Sequence, residues 1–291
     1  MVKATKKWWP IFVLPTFLAF IIGFIVPFLE GLYLSFCKFT TINKAAWVGI
    51  GNYVKVFEDA QFWTSLGFTA SFTVVSTILI NVLAFAVALA LTKGIKGTNV
   101  FRTVYFMPNL IGGIVLGYIW NILINCVLSI AGQPLLALNN KAGYWGMIIL
   151  MCWQQIGYMM IIYIAGLQAV PEDMLEAAKI DGANKWQTLW KVTIPNVMPS
   201  ITICTFLTLT NSFKLFDQNL ALTGGLPFII QPDGSSIHTT EMLALNIYNT
   251  FYSQNASSRG TAQAKAVLFF IMVACIGLIQ LRATRKKEVQ Q

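Results

Sequence analysis

The chain has 291 residues, of which 56% are hydrophobic and 11% are charged, and its mean hydropathy is +0.66. Soluble domains carry roughly 25% charged residues, so this composition excludes a water-soluble globular protein and predicts an integral membrane protein. A net charge of +9 suggests a nucleic-acid partner only when the basic residues form a surface patch, so their placement along the chain matters first.

Six long runs contain few or no charges, and they predict six transmembrane helices. A hydrocarbon core about 30 Å thick needs roughly 20 apolar residues to cross as a helix. The predicted fold is therefore all-α, with one transmembrane domain over residues 1–291. The predicted spans cover residues 9–36, 64–92, 103–127, 143–168, 198–222 and 263–283.

The two terminal spans need separate arguments. The first run follows Lys3, Lys6 and Lys7, as a cleavable signal peptide would, but it is long and no A-x-A-like cleavage site follows it. The last uncharged run is short, so Lys265 and Arg282 are expected to snorkel from its two ends. Both runs are therefore counted as spans.

The basic residues predict the orientation. Thirteen Lys and Arg lie at one set of span ends and five at the other, and the richer side is expected to be cytoplasmic. Both termini are then cytoplasmic. The thirteen are Lys3, Lys6, Lys7, Lys93, Lys96, Arg102, Lys179, Lys185, Lys191, Arg282, Arg285, Lys286 and Lys287. The positive charge is thus interpreted as a topology signal.

The predicted cytoplasmic loop over residues 169–197 reads as a helix-turn-helix bracket. Pro171 suits a helix start, and the acidic pair Glu172 and Asp173 suits the positive end of a helix dipole. Asp181-Gly182 predicts a turn, and a second helix follows until Pro195 breaks the pattern before the fifth span. Composition alone equally allows an amphipathic hairpin lying on the lipid surface.

The order of motifs in this loop resembles a known family. Glu176-Ala177-Ala178, Asp181-Gly182-Ala183 and Ile194-Pro195 resemble the EAA loop of permease subunits in binding-protein-dependent ABC importers. The resemblance implies a coupling helix that docks on an ATP-hydrolysing subunit. The implied coupling residues are Glu176, Ala177, Ala178, Asp181, Gly182, Ala183 and Pro195. Small alanines permit close approach, a carboxylate offers a charge-assisted hydrogen bond, and glycine permits a sharp turn.

Energy for transport must come from other subunits. The chain contains no G-x-x-x-x-G-K-[ST] phosphate loop, so no enzymatic activity and no bound cofactor are predicted, and ATP and Mg²⁺ are assigned to partner ATPase subunits. A lone His238 and five widely spaced cysteines also predict no metal site.

A wider resemblance covers nearly the whole chain. The segment NSFKLFDQNLALTGGLP at residues 211–227 is similar to the fifth span and following turn of carbohydrate-type permeases, with Leu226 at the third glycine position of that pattern. The resemblance implies uptake of a sugar or oligosaccharide across a bacterial cytoplasmic membrane. It also implies four kinds of partner: a second, related permease subunit, two ATP-binding cassette subunits, an extracytoplasmic substrate-binding protein and membrane lipid.

The same segment holds the substrate-pathway candidates. Lys214 and Asp217 are ionisable residues inside a predicted span, which is costly unless they face a cavity or each other. Their i, i+3 spacing allows a direct ion pair, and both interpretations stay open. Amide and aromatic side chains suit sugars, and they complete the set of candidates as Asn211, Phe213, Phe216, Tyr158 and Tyr163.

Three other functions compete with sugar import. A permease for another polar solute, such as glycerol phosphate or a polyamine, would share the loop. An ion-coupled secondary carrier acting alone would have no use for the loop. An intramembrane enzyme is disfavoured because no catalytic or metal-binding cluster of side chains is seen within the spans.

Overall fold

A computed structural model describes residues 2–232, 234–252 and 256–285. Within these residues, six helices are long and apolar enough to cross a membrane. They are Ile11–Ser35, Ala60–Leu91, Gly113–Ile130, Asn140–Gln168, Lys185–Phe213 and Arg259–Thr284. The prediction of an all-α membrane fold with six spans is confirmed. Lys286 and Lys287, which contributed to the predicted orientation, lie outside the described residues.

The helices are α1 (Val2–Phe20), α2 (Val26–Ser35), α3 (Gly51–Glu58), α4 (Ala60–Leu91), α5 (Thr98–Phe106), α6 (Gly113–Ile130), α7 (Asn140–Gln168), α8 (Glu172–Ile180), α9 (Lys185–Thr188), α10 (Ile194–Phe213), α11 (Asp217–Leu222), α12 (Leu243–Tyr252) and α13 (Arg259–Arg285). The strands β1 (Cys37–Phe39) and β2 (Ala45–Trp47) form one antiparallel hairpin, and β3 (Phe228–Ile230) and β4 (Ser236–His238) form another.

The residues fall into two compact units. One comprises Met1–Asp59 and Ile247–Phe270, and the other comprises Ala60–Asn246 and Ile271–Gln291. In the first unit, Asn52 ties α3 to the β1 hairpin because its amide donates to the carbonyl oxygens of Ser35 at 2.8 Å and Cys37 at 2.9 Å. Lys265, expected to snorkel, is instead buried in this unit. The assignment of residues 1–291 to one transmembrane domain stays a prediction.

The second unit has its core between α4, α7 and α10. Phe72, Ile80 and Ala84 of α4 are fully buried against buried residues of α7 such as Leu150 and Met159. Polar side chains also cross this core, and two of them pair across it. The Ser76 hydroxyl donates to the Ser212 hydroxyl at 2.9 Å, and the Asn81 amide donates to the Thr208 hydroxyl at 2.8 Å. Such pairing is required where water is excluded.

Two π turns occur in the spans, and each precedes a proline. The turns at Ile21–Ile25 and Leu189–Thr193 are followed by Pro27 and Pro195, each in the first turn of the next α-helix. Proline lacks an N–H and clashes with the carbonyl four residues earlier, which in both helices belongs to the middle residue of the π turn. Widening that turn accommodates the ring. The prediction that Pro195 breaks the helix is therefore wrong, because the span runs from Lys185 to Phe213.

The third predicted span begins too early. Residues 103–112 divide between α5, a 3-10 turn over Met107–Leu110 and a break before α6. Pro108 lies in the 3-10 turn, and glycines at the start of α6 separate it from α5. The backbone of α5 rests on α7, since a Cβ at Gly157 would overlap the carbonyl oxygen of Tyr105. This close approach keeps residues 98–106 out of the third span.

Candidate functional site

A break in the fifth span positions the candidate site. Helix α10 ends at Phe213 and α11 begins at Asp217, so the predicted continuous span to residue 222 is interrupted by three residues. The side chain of Leu215 is buried at the break, whereas Lys214 and Asp217 on either side of it are exposed. Discontinuous helices at membrane depth place polar backbone and side chains beside a cavity.

A cavity of about 330 Å³ lies at this break, against α7. Its lining consists of Met151, Gln155, Asn211, Lys214, Leu215, Phe216, Asp217 and Gln218. Four of the seven predicted pathway residues therefore come together around one space. No ion pair within 4 Å joins Lys214 to Asp217 in the part of the chain that the structure describes. The cavity thus presents one positive and one negative group, both able to bind a solute.

Two glutamines of the site escaped the sequence prediction. The Gln218 amide donates to Gln154 Oε1 at 2.8 Å, and the Gln154 amide donates to the Ile111 carbonyl at 3.2 Å, which holds Gln218 in place. Gln155 Oε1 is buried and has no hydrogen-bond partner among the described residues, although its side chain lines the cavity. The signal that could have found Gln155 is the adjacent amide pair Gln154-Gln155 within a long uncharged run, whereas Gln218 directly follows the predicted Asp217.

The remaining three candidates are outside the cavity lining. Phe213 is buried at the end of α10. Tyr158 is half-buried, with its ring centroid 6.5 Å from that of Phe106. Tyr163 is fully buried, and its hydroxyl donates to Asn81 Oδ1 at 2.6 Å. The hydrogen bond gives Tyr163 a structural explanation, as one member of the polar network in the core.

The predicted coupling loop forms two helices joined by a glycine turn. At the end of α8, the Ala183 N–H donates to the Ala178 carbonyl at 3.0 Å and the Gly182 N–H donates to the Lys179 carbonyl at 3.1 Å. This pair of bonds is a Schellman motif, which needs a left-handed residue after the helix. Gly182 supplies it with φ of 76°. Asn184 then begins α9 with a capping box.

The seven predicted coupling residues differ in exposure. Glu176, Ala177, Asp181 and Gly182 are exposed, Ala183 and Pro195 are half-buried, and Ala178 is 8% exposed. Only an exposed side chain can meet another protein without rearrangement. The geometry therefore favours the first four as a contact surface, while Ala178 packs within the chain.

Comparison with known proteins identifies the family. Residues 83–288 match the family described as the binding-protein-dependent transport system inner membrane component. The chain belongs to this family. Members are permease components located in the inner membrane, which agrees with the six apolar helices.

Two relatives within the family align along nearly their whole length. The chain is 42% identical over 290 residues to a probable starch degradation products transport system permease protein of Thermoanaerobacterium thermosulfurigenes, covering 97% of this chain and 96% of the relative. It is 31% identical over 295 residues to a multiple sugar-binding transport system permease protein of Streptococcus mutans, covering 98% and 97%.

A solved structure supports the fold. A chain of a bacterial ABC transporter involved in import of the acidic polysaccharide alginate superposes with a TM-score of 0.79, covering 98% of both chains at 20% identity. At this identity the likeness establishes the architecture of the helices.

Proposed function

We propose that this chain is a membrane-spanning subunit of an ATP-driven importer that takes up a sugar or oligosaccharide delivered by an extracytoplasmic binding protein. The observation that carries the proposal is the cavity at the break of the fifth span, which combines amide, charged and aromatic side chains. The names of the relatives, which concern starch products and multiple sugars, support the same solute class.

The charges of the cavity favour a neutral solute. Lys214 and Asp217 sum to zero formal charge, and the amides of Gln155, Asn211 and Gln218 supply both donors and acceptors. A phosphoester would be attracted by Lys214 and repelled by Asp217, and a polyamine the reverse. The cavity therefore has no net formal charge that would favour an anion or a cation. A sugar uses both charged groups as hydrogen-bond partners.

The orientation follows the distribution of basic residues. The coupling loop, both chain termini and the short segment between α4 and α5 face the cytoplasm in this proposal, because Lys and Arg concentrate at those ends. The β3–β4 hairpin and the β1–β2 hairpin then face the outside, where a binding protein delivers solute.

Transport works by alternating access driven through the coupling loop. Two ATP-binding cassette subunits hydrolyse ATP with Mg²⁺, since this chain has no phosphate loop of its own. Their closure displaces the loop and opens the cavity outward, and their reopening returns it to the cytoplasmic side. Glu176, Ala177, Asp181 and Gly182 form the contact with the ATPase, and a second, related permease subunit closes the pathway.

The decisive experiment measures uptake by the assembled importer in vesicles, with ATP supplied to the ATPase side. Radiolabelled neutral oligosaccharides, glycerol phosphate and a polyamine are compared as solutes. We expect uptake of a neutral oligosaccharide, and a loss of about tenfold or more in uptake efficiency for Lys214→Ala and for Asp217→Asn, because each removes a charged hydrogen-bond partner. Lys141→Ala, at an exposed residue outside the cavity, is the control.

Two results would contradict the proposal. Uptake restricted to glycerol phosphate or to the polyamine would reassign the solute class. Uptake by this chain in liposomes without ATPase subunits would establish a secondary carrier instead.

A further inference from the structure

A second cavity lies beside the coupling loop, between the end of the second span and the start of the fifth. Its volume is about 800 Å³, and its lining is mostly apolar. On one side it is lined by Leu89 in the last turn of α4 and by Lys93 just beyond that helix. On the other side it is lined by Leu175 and Lys179 of α8 and, at the start of the fifth span, by Lys185, Trp186, Thr188 and Leu189. The cavity is therefore at the depth where hydrocarbon gives way to headgroups.

Three lysines give this cavity a positive charge. Lys93, Lys179 and Lys185 line it and are exposed. No carboxylate lies within 4 Å of their ammonium groups among the described residues. The acidic residue Glu176 of α8 is not part of the lining. An ordinary solvated surface carries both basic and acidic side chains, whereas the charged side chains that line this cavity are all lysines.

The floor and walls of the cavity suit a hydrocarbon chain. Leu89, Leu175 and Leu189 contribute aliphatic surface, and the indole of Trp186 lines the cavity while remaining 67% exposed. Tryptophan is enriched at the level of lipid headgroups. A free inorganic anion would gain nothing from these walls, but a phospholipid can place its phosphate on the lysines and its acyl chain on the leucines.

We propose that this cavity binds one anionic phospholipid, whose phosphate lies among Lys93, Lys179 and Lys185 and whose acyl chain lies along Leu89 and Leu189. Anionic headgroups attract basic residues near a membrane surface. The lipid contacts both α4 and the coupling loop, and so stabilises the position of that loop against the spans. The proposal is independent of which solute the importer carries.

An ATPase subunit is the competing occupant of this cavity. Glu176 and Gly182 are exposed outside the cavity lining, whereas Ala183 is part of it, so the surface proposed for ATPase contact borders the surface that holds the three lysines. Loss of the lysines should therefore remove lipid without removing the ATPase. This separation makes the two occupants distinguishable.

The test uses native mass spectrometry of the assembled importer in nanodiscs of phosphatidylcholine alone or mixed with phosphatidylglycerol. We expect one phosphatidylglycerol to stay bound to the wild-type protein. The triple variant Lys93→Gln, Lys179→Gln, Lys185→Gln should bind it about a hundredfold more weakly, because each lysine near an anionic surface contributes about 1 kcal/mol and about 1.4 kcal/mol corresponds to a factor of ten. The control variant carries Lys96→Gln, Lys191→Gln and Arg282→Gln, all exposed and outside the cavity.

Further arms separate lipid from other ligands. Trp186→Ala should weaken retention of phosphatidylglycerol, and added inorganic phosphate should leave it unchanged. Equal loss of lipid in the control variant, displacement by inorganic phosphate, or loss of the ATPase subunits together with the lipid in the triple variant would each overturn the proposal.

Discussion

The ammonium group of Lys265 lies 2.7 Å from the Asp59 carboxylate, which joins α13 to the end of α3. Lys265 is 1% exposed and Asp59 is 30% exposed, and the Lys265 ammonium also donates to the Thr250 hydroxyl at 2.9 Å. The two charges therefore experience different environments. The cation depends on its partners, whereas the anion can still reach solvent.

This asymmetry predicts unequal effects of the two single substitutions. Asp59→Asn removes the carboxylate from beside a buried cation and should destabilise the protein by about 3–5 kcal/mol. Lys265→Met leaves a carboxylate that solvent can reach, so its cost should be smaller. The double variant should recover part of the loss. Denaturation in detergent, followed as a double-mutant cycle, measures all three, and equal costs for both single variants would contradict the asymmetry.

The carboxylate of Glu176 is expected to couple the ATPase to transport. Glu176→Lys should lower solute uptake and solute-stimulated ATP hydrolysis by about tenfold or more, because a charge-assisted hydrogen bond contributes roughly 1.5–3 kcal/mol. Glu172→Lys in the first turn of the same helix is a matched control that perturbs the helix dipole more. If both variants lose activity equally, helix stability rather than contact explains the effect.

Gly182 is expected to be required for the turn of the coupling loop. With φ of 76°, alanine there costs about 1 kcal/mol or more, which should reduce coupled ATP hydrolysis about fivefold, while asparagine should retain more activity. Gly94→Ala is the control, because Gly94 has φ of 75° and, like Gly182, no atom within 4 Å of an added Cβ. Equal loss of coupling in both alanine variants would rule out a specific role for Gly182.

Gln155 is expected to bind solute rather than to stabilise the fold. Gln155→Leu removes a buried acceptor that has no partner among the described residues. The free energy of unfolding should therefore stay the same or rise, while the KM for uptake rises about fivefold. Gln154→Leu should instead lower the free energy of unfolding, because it leaves the Gln218 amide without the acceptor that holds it. Thermal unfolding and uptake kinetics of the two variants provide the comparison, and a stability loss in Gln155→Leu would refute the assignment.

Tyr163 is expected to contribute to the stability of the fold and not to the selection of solute. Tyr163→Phe removes the hydrogen bond to Asn81 in the core and should cost about 1–2 kcal/mol without altering the range of solutes transported. Tyr158→Phe, at a half-buried position, should be close to neutral. A changed solute range in Tyr163→Phe would return this residue to the transport pathway.

Much of the fold was predictable because charge is scarce in this chain. The six spans follow from uncharged runs, and the turn at Asp181-Gly182 follows from a residue pair with a strong local preference. Helix α8 ends at Ile180, directly before that predicted turn. In these places short-range chemistry alone determines the structure.

The remaining features depend on contacts between distant residues. No Gly or Pro marks the break at Lys214, so the polar residues there could equally have belonged to a continuous helix. Lys265 was expected to snorkel because its partner Asp59 is far away in sequence. Pro195 was expected to end a helix because nothing local indicates that the preceding turn widens to accept it. These outcomes require tertiary packing, which a single sequence does not display.

The helix α10 starts beside the coupling loop and ends at the cavity. Its 20 residues make a rod about 30 Å long, and its core-facing residues Val197, Cys204 and Thr208 are buried. When a helix of this length moves as one body, a tilt of about 10° at the first turn displaces Asn211 by ~5 Å. In the proposed mechanism, a small displacement of the loop therefore moves the residues that line the cavity.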